Sequence, residues 1–313
     1  MTVTIREFDP PGPGAAVDAE AAAEVLRAVL PYLVLTPRTL SWQAETAPPA
    51  QHHRLLLAEA DGLLLGAART GIYYDSSEPG QAYLNIYVHP ERRGRGAGRA
   101  LLDAGEAYVT GLDARTVYCW SLEDERSLAF AERHGYRRGR SAHFQRLALA
   151  DGGLPPLPPS PPGVRVRTGA SFGDDLREIW AADNEAAADE PDDVAVDAID
   201  YDLWLRLYWQ HPDHDPELTS VVTVDGAVAA FSFAVTDGGT RYMSGMAGTL
   251  RAHRGRGLAK LAKSSSLHRA RAAGYVEAFT NNDSGNAPML AINRWFGYEQ
   301  CATEVRWMRD LTD

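Results

Sequence analysis

Cysteine is scarce in this chain, and long hydrophobic runs are missing from it. The 313 residues hold two cysteines, Cys119 and Cys301, which lie far apart and have no partners at metal-ligand spacing. We therefore expect neither a disulfide framework nor a zinc site, and free thiols suggest a reducing compartment. No run reaches the roughly 18 apolar residues of a membrane span, and the first residues do not resemble a signal peptide. These absences predict a cytoplasmic protein with no bound metal and no membrane partner.

Lysine is almost absent as well, since 2 lysines accompany 29 arginines. Acidic residues outnumber basic ones by 42 to 31, which gives a net charge of -11, most of it in residues 151–313. Nucleic-acid binding is disfavoured because phosphate contacts need a basic surface. The acidity suits a cationic small substrate, or it serves only solubility, and both interpretations stay open.

A proline-rich segment separates two similar halves. Residues 151–163 contain six prolines, which predicts a semi-rigid linker, with a recognition motif for another protein as the alternative. Four anchors recur across it at offsets of 161 to 164 residues: Val3–Arg6 with Val164–Arg167, Asp61-Gly62 with Asp225-Gly226, Arg93–Gly96 with Arg254–Gly257, and Gly135-Tyr136 with Gly297-Tyr298. Anchors in the same order indicate a duplicated domain. We predict one domain over 1–150, the linker over 151–163 and a second domain over 164–313.

Each half has the same predicted order of elements. The Asp-Gly pairs lie between apolar runs and predict antiparallel hairpins with tight primed turns. A later strand then leads through a Gly/Arg turn into a helix, at Gly98–Thr110 in the first half and Leu258–Ala273 in the second. In the second half we also predict helices over Phe172–Ala182 and Tyr201–Trp209. Strands separated by helices, together with hairpins, indicate an α/β fold with a mixed sheet.

The two Gly/Arg turns carry the chemistry. The first amides of a helix have no partner within it and point outward with a positive dipole. Glycine lets a pyrophosphate approach the backbone, and arginine adds charge and donors. A Rossmann site would need this turn after the first strand, and a Walker loop would need Gly-Lys-Ser/Thr, so neither fits. A solvated loop without a ligand is the remaining alternative, and two copies in matching context disfavour it.

Arg93-x-x-Gly96-x-Gly98 and its twin Arg254-x-x-Gly257-x-Ala259 resemble the Arg/Gln-x-x-Gly-x-Gly/Ala signature of the GNAT N-acetyltransferase superfamily. The resemblance covers both halves and implies two tandem α/β (α+β) domains, each a mixed, mostly antiparallel sheet flanked by helices. It implies acetyl-CoA as co-substrate, no metal, and direct attack of a neutral amine on the thioester. By resemblance, the residues that would bind the cofactor are Ile86, Tyr87, Val88, Arg93, Gly94, Arg95, Gly96, Ala97, Gly98 and Arg99 in the first half, and Ala247, Gly248, Thr249, Arg254, Gly255, Arg256, Gly257, Leu258, Ala259 and Lys260 in the second.

A second motif of the family, later in each half, is matched to different extents by the two halves. The family typically has an Asn eleven residues before the Gly of the Gly-Tyr turn and a Tyr, often the general acid, four before it. Asn286 matches in the second half and is a further predicted cofactor contact, whereas Asp124 stands there in the first. Asn293 and Ala131 replace the Tyr. Asn282 and Asn293 are candidate catalytic residues, and asparagines here can equally cap turns and helices.

The leading hypothesis is an N-acetyltransferase for a small amine, monomeric or homodimeric, with catalysis in the second half because Asn286 is present there and the half is acidic. An acidic run, residues 183–193, could hold a cationic amine or be a solvated loop. A second hypothesis is an acyl-CoA-binding protein without catalysis, since both halves lack the Tyr. A third, narrower one is the mycothiol synthase group, which acts on a cysteinyl amino sugar and is similar to this chain in length and tandem layout.

Overall fold

A computed structural model describes residues 2–150 and 153–312, and they form two compact units. Unit 1 comprises residues 1–143 and 302–313, and unit 2 comprises residues 144–301. The predicted division at residues 151–163 differs from these units, because the last strand of the chain belongs mostly to unit 1. In the described residues every helix is too short or too polar to cross a lipid bilayer.

Within residues 2–150, strands and helices alternate irregularly. They are β1 (Thr4–Glu7), α1 (Ala15–Val29), α2 (Pro37–Thr46), β2 (Arg54–Ala60), β3 (Leu63–Ile72), β4 (Gln81–Val88), α3 (Ala97–Thr110), β5 (Thr116–Leu122), α4 (Glu125–Arg133) and β6 (Arg137–Ala148). The remaining elements are β7 (Val164–Thr168), α5 (Arg177–Ala187), α6 (Tyr201–Trp204), β8 (Ser220–Val224), β9 (Ala227–Thr236), β10 (Arg241–Thr249), α7 (Leu258–Ala272), β11 (Glu277–Asp283), α8 (Ala287–Phe296) and β12 (Glu299–Asp310).

Unit 1 is built on a mixed, mostly antiparallel sheet in the order β1-β2-β3-β4-β5-β12, followed by the first part of β6. One face packs on α3 and α4 in a core that includes Leu101, Val117 and Trp307. The other face packs on α1 through Leu26, Leu57 and neighbours. Trp307 belongs to β12, so a residue from the end of the chain completes the core that the first half begins.

Unit 2 repeats this plan. Its sheet runs β11-β10-β9-β8-β7, with the second part of β6 beside β11. α7 packs on one face, where Ala262 and Leu261 meet Val222, and α5 packs on the other with Phe231. The α/β fold with two mixed, mostly antiparallel sheets is therefore confirmed.

Both predicted hairpins are present, joining β2 to β3 and β8 to β9. All four turn residues have positive φ, at 52° and 74° for Asp61 and Gly62 and at 51° and 97° for Asp225 and Gly226. Such angles are those of a primed turn, which Asp and Gly tolerate better than most residues.

Three elements differ from the sequence predictions. The helix predicted over 172–182 begins at Arg177 and continues to Ala187, after a short 3₁₀ turn over Gly169–Phe172. The helix predicted over 201–209 is α-helical only to Trp204 and then becomes a π-helix over Leu205–Trp209. Helix α2 was not predicted, although Thr36 caps it by accepting the Thr39 N–H and Pro37 occupies its first position.

Candidate active site

The loop between β4 and α3 has the form that the sequence predicted. A 3₁₀ turn over Pro90–Arg92 leads to Gly94 and Gly96, with φ of 79° and 88°. Gly96 is the N-cap of α3 and has no side chain to cover the first amides of the helix. A side chain at such a φ is strained, so glycine is required by conformation. The uncapped amides and the helix dipole make this end of α3 suited to an anion.

Strands β4 and β5 part beside this loop. They pair in parallel only through Gln81–Tyr83 and Thr116–Tyr118, although both strands continue for several residues beyond. Across the opening, Asn85 Oδ1 accepts the Trp120 N–H at 2.8 Å. Apart from the Trp120 N–H, the backbone groups that face the opening are not paired between β4 and β5, which suits an extended ligand lying between the strands.

A cavity of about 720 Å³ follows this gap through unit 1. Its wall includes the loop, the parted strands, the facing sides of α3 and α4, and the end of α1, and its residues are Val29, Leu30, Leu84, Ile86, Tyr87, Val88, Arg93, Gly94, Gly96, Ala97, Gly98, Arg99, Leu102, Cys119, Trp120, Ser121, Leu122, Arg126, Ser127, Phe130, Ala131, Arg133, Tyr136 and Glu304. Of the ten residues predicted in the first half, nine line it, and Arg95 does not.

Charge in the wall is mostly positive. Arg93, Arg99, Arg126 and Arg133 lie in the part formed by the loop and the two helices, and Glu304 is the one acidic residue of the wall. Arg93 lies 4.0 Å from Asp124 and Arg99 lies 2.8 Å from Asp103, both in exposed pairs that solvent weakens. This end of the cavity therefore favours a polyanionic ligand.

Two neutral groups of the wall hold their protons firmly. Burial raises the pKa of the Cys119 thiol to about 12. Burial also raises the pKa of Tyr136 above its ordinary range, and its hydroxyl donates to Glu106 at 2.8 Å. Neither is poised to exchange a proton near neutral pH.

The second loop has the same backbone form. A 3₁₀ turn over Arg251–His253 precedes Gly255 and Gly257, with φ of 75° and 77°, and Gly257 is the N-cap of α7. Strands β10 and β11 also pair in parallel only at their first three residues. The duplicated backbone is thus present in unit 2.

The arginines of the second loop also have partners, and two of them share one carboxylate. Asp189 pairs with Arg251 at 2.6 Å and also with Arg254, and these contacts lower its pKa to about 2. Arg256 lies 2.9 Å from His253 Nδ1. Glu185 accepts the Arg251 N–H at 2.6 Å.

Direct contacts bridge α7 and α8, the two helices that correspond to α3 and α4. Lys260 Nζ lies 3.3 Å from the centroid of the Trp295 ring. Lys263, 1% exposed, donates to Asn293 Oδ1 at 2.6 Å. At the repeat offsets of 161 and 162 residues these four residues answer to Arg99, Arg133, Leu102 and Ala131, all of which line the cavity of unit 1.

The structure also shows the contacts of the predicted residues Asn282, Asn286, Asn293 and Gly248 in unit 2. Asn293 is fully buried and donates to Gln145 and Asn282, each at 2.7 Å. Asn286 caps α8 by accepting the Met289 N–H at 3.3 Å. On β10, α5 lies so close to Gly248 that a Cβ there would stand 2.4 Å from Ala186. The cofactor and catalytic roles of these residues stay predictions.

The acidic run at 183–193 is not a plain solvated loop, since its first five residues belong to α5. Asp183 is buried and accepts the Trp204 indole N–H at 2.7 Å, and burial raises its pKa to about 6. With Asp189 and Glu185 bound to the second loop, three members of the run serve contacts inside unit 2.

Glu304 was not among the predicted site residues. It lies on β12 opposite Leu122 of β5 and lines the cavity, far from the loop in sequence. Other polar and charged residues accompany it on β12, and nothing in the sequence placed this strand beside β5.

The glycine loop, the cavity arginines and the two parting strands define a class of protein suited to an extended, anionic ligand. The model of the acetyltransferase (GNAT) family matches residues 23–136. A mycothiol acetyltransferase of Nocardioides sp. is 30% identical over 73% of this chain and 81% of the relative. One of Clavibacter michiganensis subsp. michiganensis is 32% identical over 84% of this chain and 86% of the relative. The chain belongs to the acetyltransferase (GNAT) family.

Solved structures agree on the fold. A tandem GNAT protein from the clavulanic acid biosynthesis pathway superposes with a TM-score of 0.74 at 22% identity, covering 99% of this chain and 98% of the other. A GCN5-related N-acetyltransferase from Sphaerobacter thermophilus gives 0.72 at 22% identity, covering 98% and 95%. The chain is an N-acetyltransferase of tandem GNAT architecture, a family that uses acetyl-CoA as co-substrate.

Proposed function

We propose that this chain transfers an acetyl group from acetyl-CoA to a small amine, and that the cofactor binds in unit 1. The diphosphate would lie on the amides of Gly94–Arg99 with the cavity arginines around it. The pantetheine arm would follow Ile86–Val88 through the gap between β4 and β5. Amides of the parted strand would polarise the thioester carbonyl as the neutral amine attacks.

Four matched positions between the two helices support unit 1, and not unit 2, as the cofactor-binding unit. In unit 1 they are Arg99, Leu102, Ala131 and Arg133, which line an open cavity. In unit 2 they are two contact pairs, Lys260 with Trp295 and Lys263 with Asn293. Asn286 and the acidity of the second half had favoured catalysis there. In the structure Asn286 caps helix α8. We therefore propose one cofactor per chain.

Matched glycine variants test this choice. Gly96→Glu and Gly257→Glu impose similar backbone strain, since φ is 88° and 77°, and a Cβ at either position finds no atom closer than 4.0 Å. Titration calorimetry should show one acetyl-CoA per wild-type chain, lost in Gly96→Glu and kept in Gly257→Glu. Two bound cofactors, or loss in Gly257→Glu alone, would refute the assignment to unit 1.

A second candidate concerns the acceptor. Relatives that cover most of this chain carry the name mycothiol acetyltransferase. These likenesses favour a cysteinyl amino sugar over a simple alkylamine. Release of free CoA thiol with a synthetic cysteinyl amino sugar, with glucosamine and with phenethylamine would rank the three acceptors. A preference for phenethylamine would contradict this candidate and leave the acetyltransferase proposal in place.

A further inference from the structure

Glu304 is a buried carboxylate that no other group neutralises. It is 8% exposed, and within the described chain its carboxyl group forms no hydrogen bond or ion pair. It nevertheless lines the cavity, so its remaining exposure is toward the space a ligand would occupy. An unpaired buried carboxyl is costly, and proteins keep such groups mainly where they serve chemistry.

The face of β12 that carries Glu304 follows from its neighbours. Val305 and Trp307 lie two residues apart on one face of the strand, and both pack in the core with α3. Glu304 therefore points through the opposite face of the sheet, the face on which Tyr87 packs with α1. Both Tyr87 and Glu304 line the cavity. Burial, with a smaller contribution from the negative charge of Glu304, raises the pKa of Tyr87 to about 12.

Burial raises the pKa of Glu304 to about 7. The titratable or charged side chains of the cavity wall besides Glu304 are Tyr87, Cys119, Tyr136, Arg93, Arg99, Arg126 and Arg133. Arg306 lies two residues along β12 on the same face, and the charge of Arg69 on β3 acts on Tyr87. The first part of β6, which follows β12 in the sheet, carries Arg137, Arg138, Arg140 and His143. The end of α1 contributes only the uncharged Val29 and Leu30. Near neutral pH the group can therefore hold a proton or release it.

We propose that Glu304 is the catalytic base of unit 1, supplied by the last strand of the chain. This inference rests on the proposed function. The ionised carboxylate takes one proton from the ammonium form of the acceptor and leaves a neutral amine. The amine nitrogen then forms a bond to the thioester carbon and the C–S bond breaks. The proton that the nitrogen loses as the amide forms passes to the thiolate of CoA, which leaves as the free thiol. Glu304 releases its own proton to solvent and is ready for the next acceptor.

Glu304→Gln tests the role, because it keeps the shape of the side chain and removes its basicity. Glu299→Gln is the matched control, since Glu299 is an exposed glutamate on the same strand. With phenethylamine, which is almost fully protonated at pH 7, kcat/KM of Glu304→Gln should fall by about 10²–10⁴-fold. The fall should be smaller with glucosamine and the cysteinyl amino sugar, whose amines are less basic. The wild-type and Glu299→Gln profiles should lose activity as pH falls through about 7. This loss of activity at low pH should be absent from the profile of Glu304→Gln, while its affinity for acetyl-CoA stays unchanged.

A weakly basic aromatic amine separates a base from a purely structural residue. Such an acceptor is already neutral at pH 7, so Glu304→Gln should acetylate aniline within a few-fold of the wild-type rate. An equal loss for aniline and phenethylamine, or an unchanged pH profile in Glu304→Gln, would overturn the inference with the acetyltransferase proposal intact. A wild-type chain that binds no acetyl-CoA would overturn the proposed function itself.

Discussion

Lys263 places an ammonium group in the interior of unit 2, where its uncharged form is favoured. Burial lowers its pKa from 10.5 to about 7. A group whose pKa is lowered in the folded state contributes stability above its unfolded pKa and loses it as pH falls through the folded one. The free energy of unfolding of unit 2 should therefore rise by a few kcal/mol between pH 7 and pH 10.

Lys263→Leu, which introduces the residue that Leu102 provides in unit 1, should remove that rise. At pH 7 the variant should have a higher free energy of unfolding than the wild type, because it buries no amine. Loss of the hydrogen bond to Asn293 should reduce this increase by about 1 kcal/mol. Denaturant unfolding at pH 7 and pH 10 measures both quantities. Lys260→Leu is the control, because Lys260 is the other lysine of the chain and lies at the surface against Trp295. Equal pH dependence in all three proteins would contradict the explanation.

Some residues of the candidate site could be predicted from the sequence, and others could not. The loop glycines were predictable because only a positive φ before a helix explains two spaced glycines in both halves. Glu304 and Arg306 were not, because charged residues at alternate positions of a strand usually indicate a solvent-facing side. Here the strand lies inside the sheet, and both side chains are buried. Burial of that kind depends on pairing with β5, which the sequence does not encode locally.

At the scale of elements, the helices α4 and α8 begin with equivalent caps. Asp124 Oδ1 accepts the N–H groups of Arg126 and Ser127 at 3.1 and 3.2 Å, and Asn286 Oδ1 accepts that of Met289. Replacing either cap by Ala should lower the free energy of unfolding by about 1 kcal/mol. Asn286→Ala should leave acetyl-CoA affinity unchanged in calorimetry. Asn286→Asp, which keeps a capping oxygen, is the control, and a loss of acetyl-CoA binding in Asn286→Ala would restore the cofactor role predicted for Asn286.

Errors in predicting elements have local causes. The apolar pattern at Phe172–Ala182 did not reveal where α5 begins, because Phe172 and Leu176 pack in the same core as Ile179 although both precede the helix. Its end was misplaced because the acidic residues after Ala182 look solvated, although Asp183 is buried against Trp204. Helix α2 had readable signals in Thr36 and Pro37 and lacks a long apolar stripe, so its packing against α1 was decided by tertiary contacts.

At the scale of the whole molecule, unit 1 cannot be cut out at the predicted boundary. Residues 302–312 supply Val305 and Trp307, both fully buried, to its core, and β12 covers the edge of β5 over seven residue pairs. Removing one buried Trp side chain typically costs about 3–5 kcal/mol, a large part of a domain's stability of about 5–15 kcal/mol. A fragment of residues 1–150 should therefore unfold at much lower denaturant than unit 1 in the full chain, or aggregate.

Restoring the strand is the matched control for this prediction. Residues 1–143 joined through a glycine-serine linker to residues 302–313 regain the core tryptophan, the covered edge and Glu304. Circular dichroism with denaturant should show a cooperative transition for the joined fragment, and calorimetry should show that it binds acetyl-CoA. A fragment of residues 1–150 that unfolds cooperatively and binds acetyl-CoA as tightly would mean that the last strand is dispensable. Because the same strand carries both Trp307 and Glu304, folding of unit 1 and completion of its active site would be one event, achieved only once β12 has been made and has paired with β5.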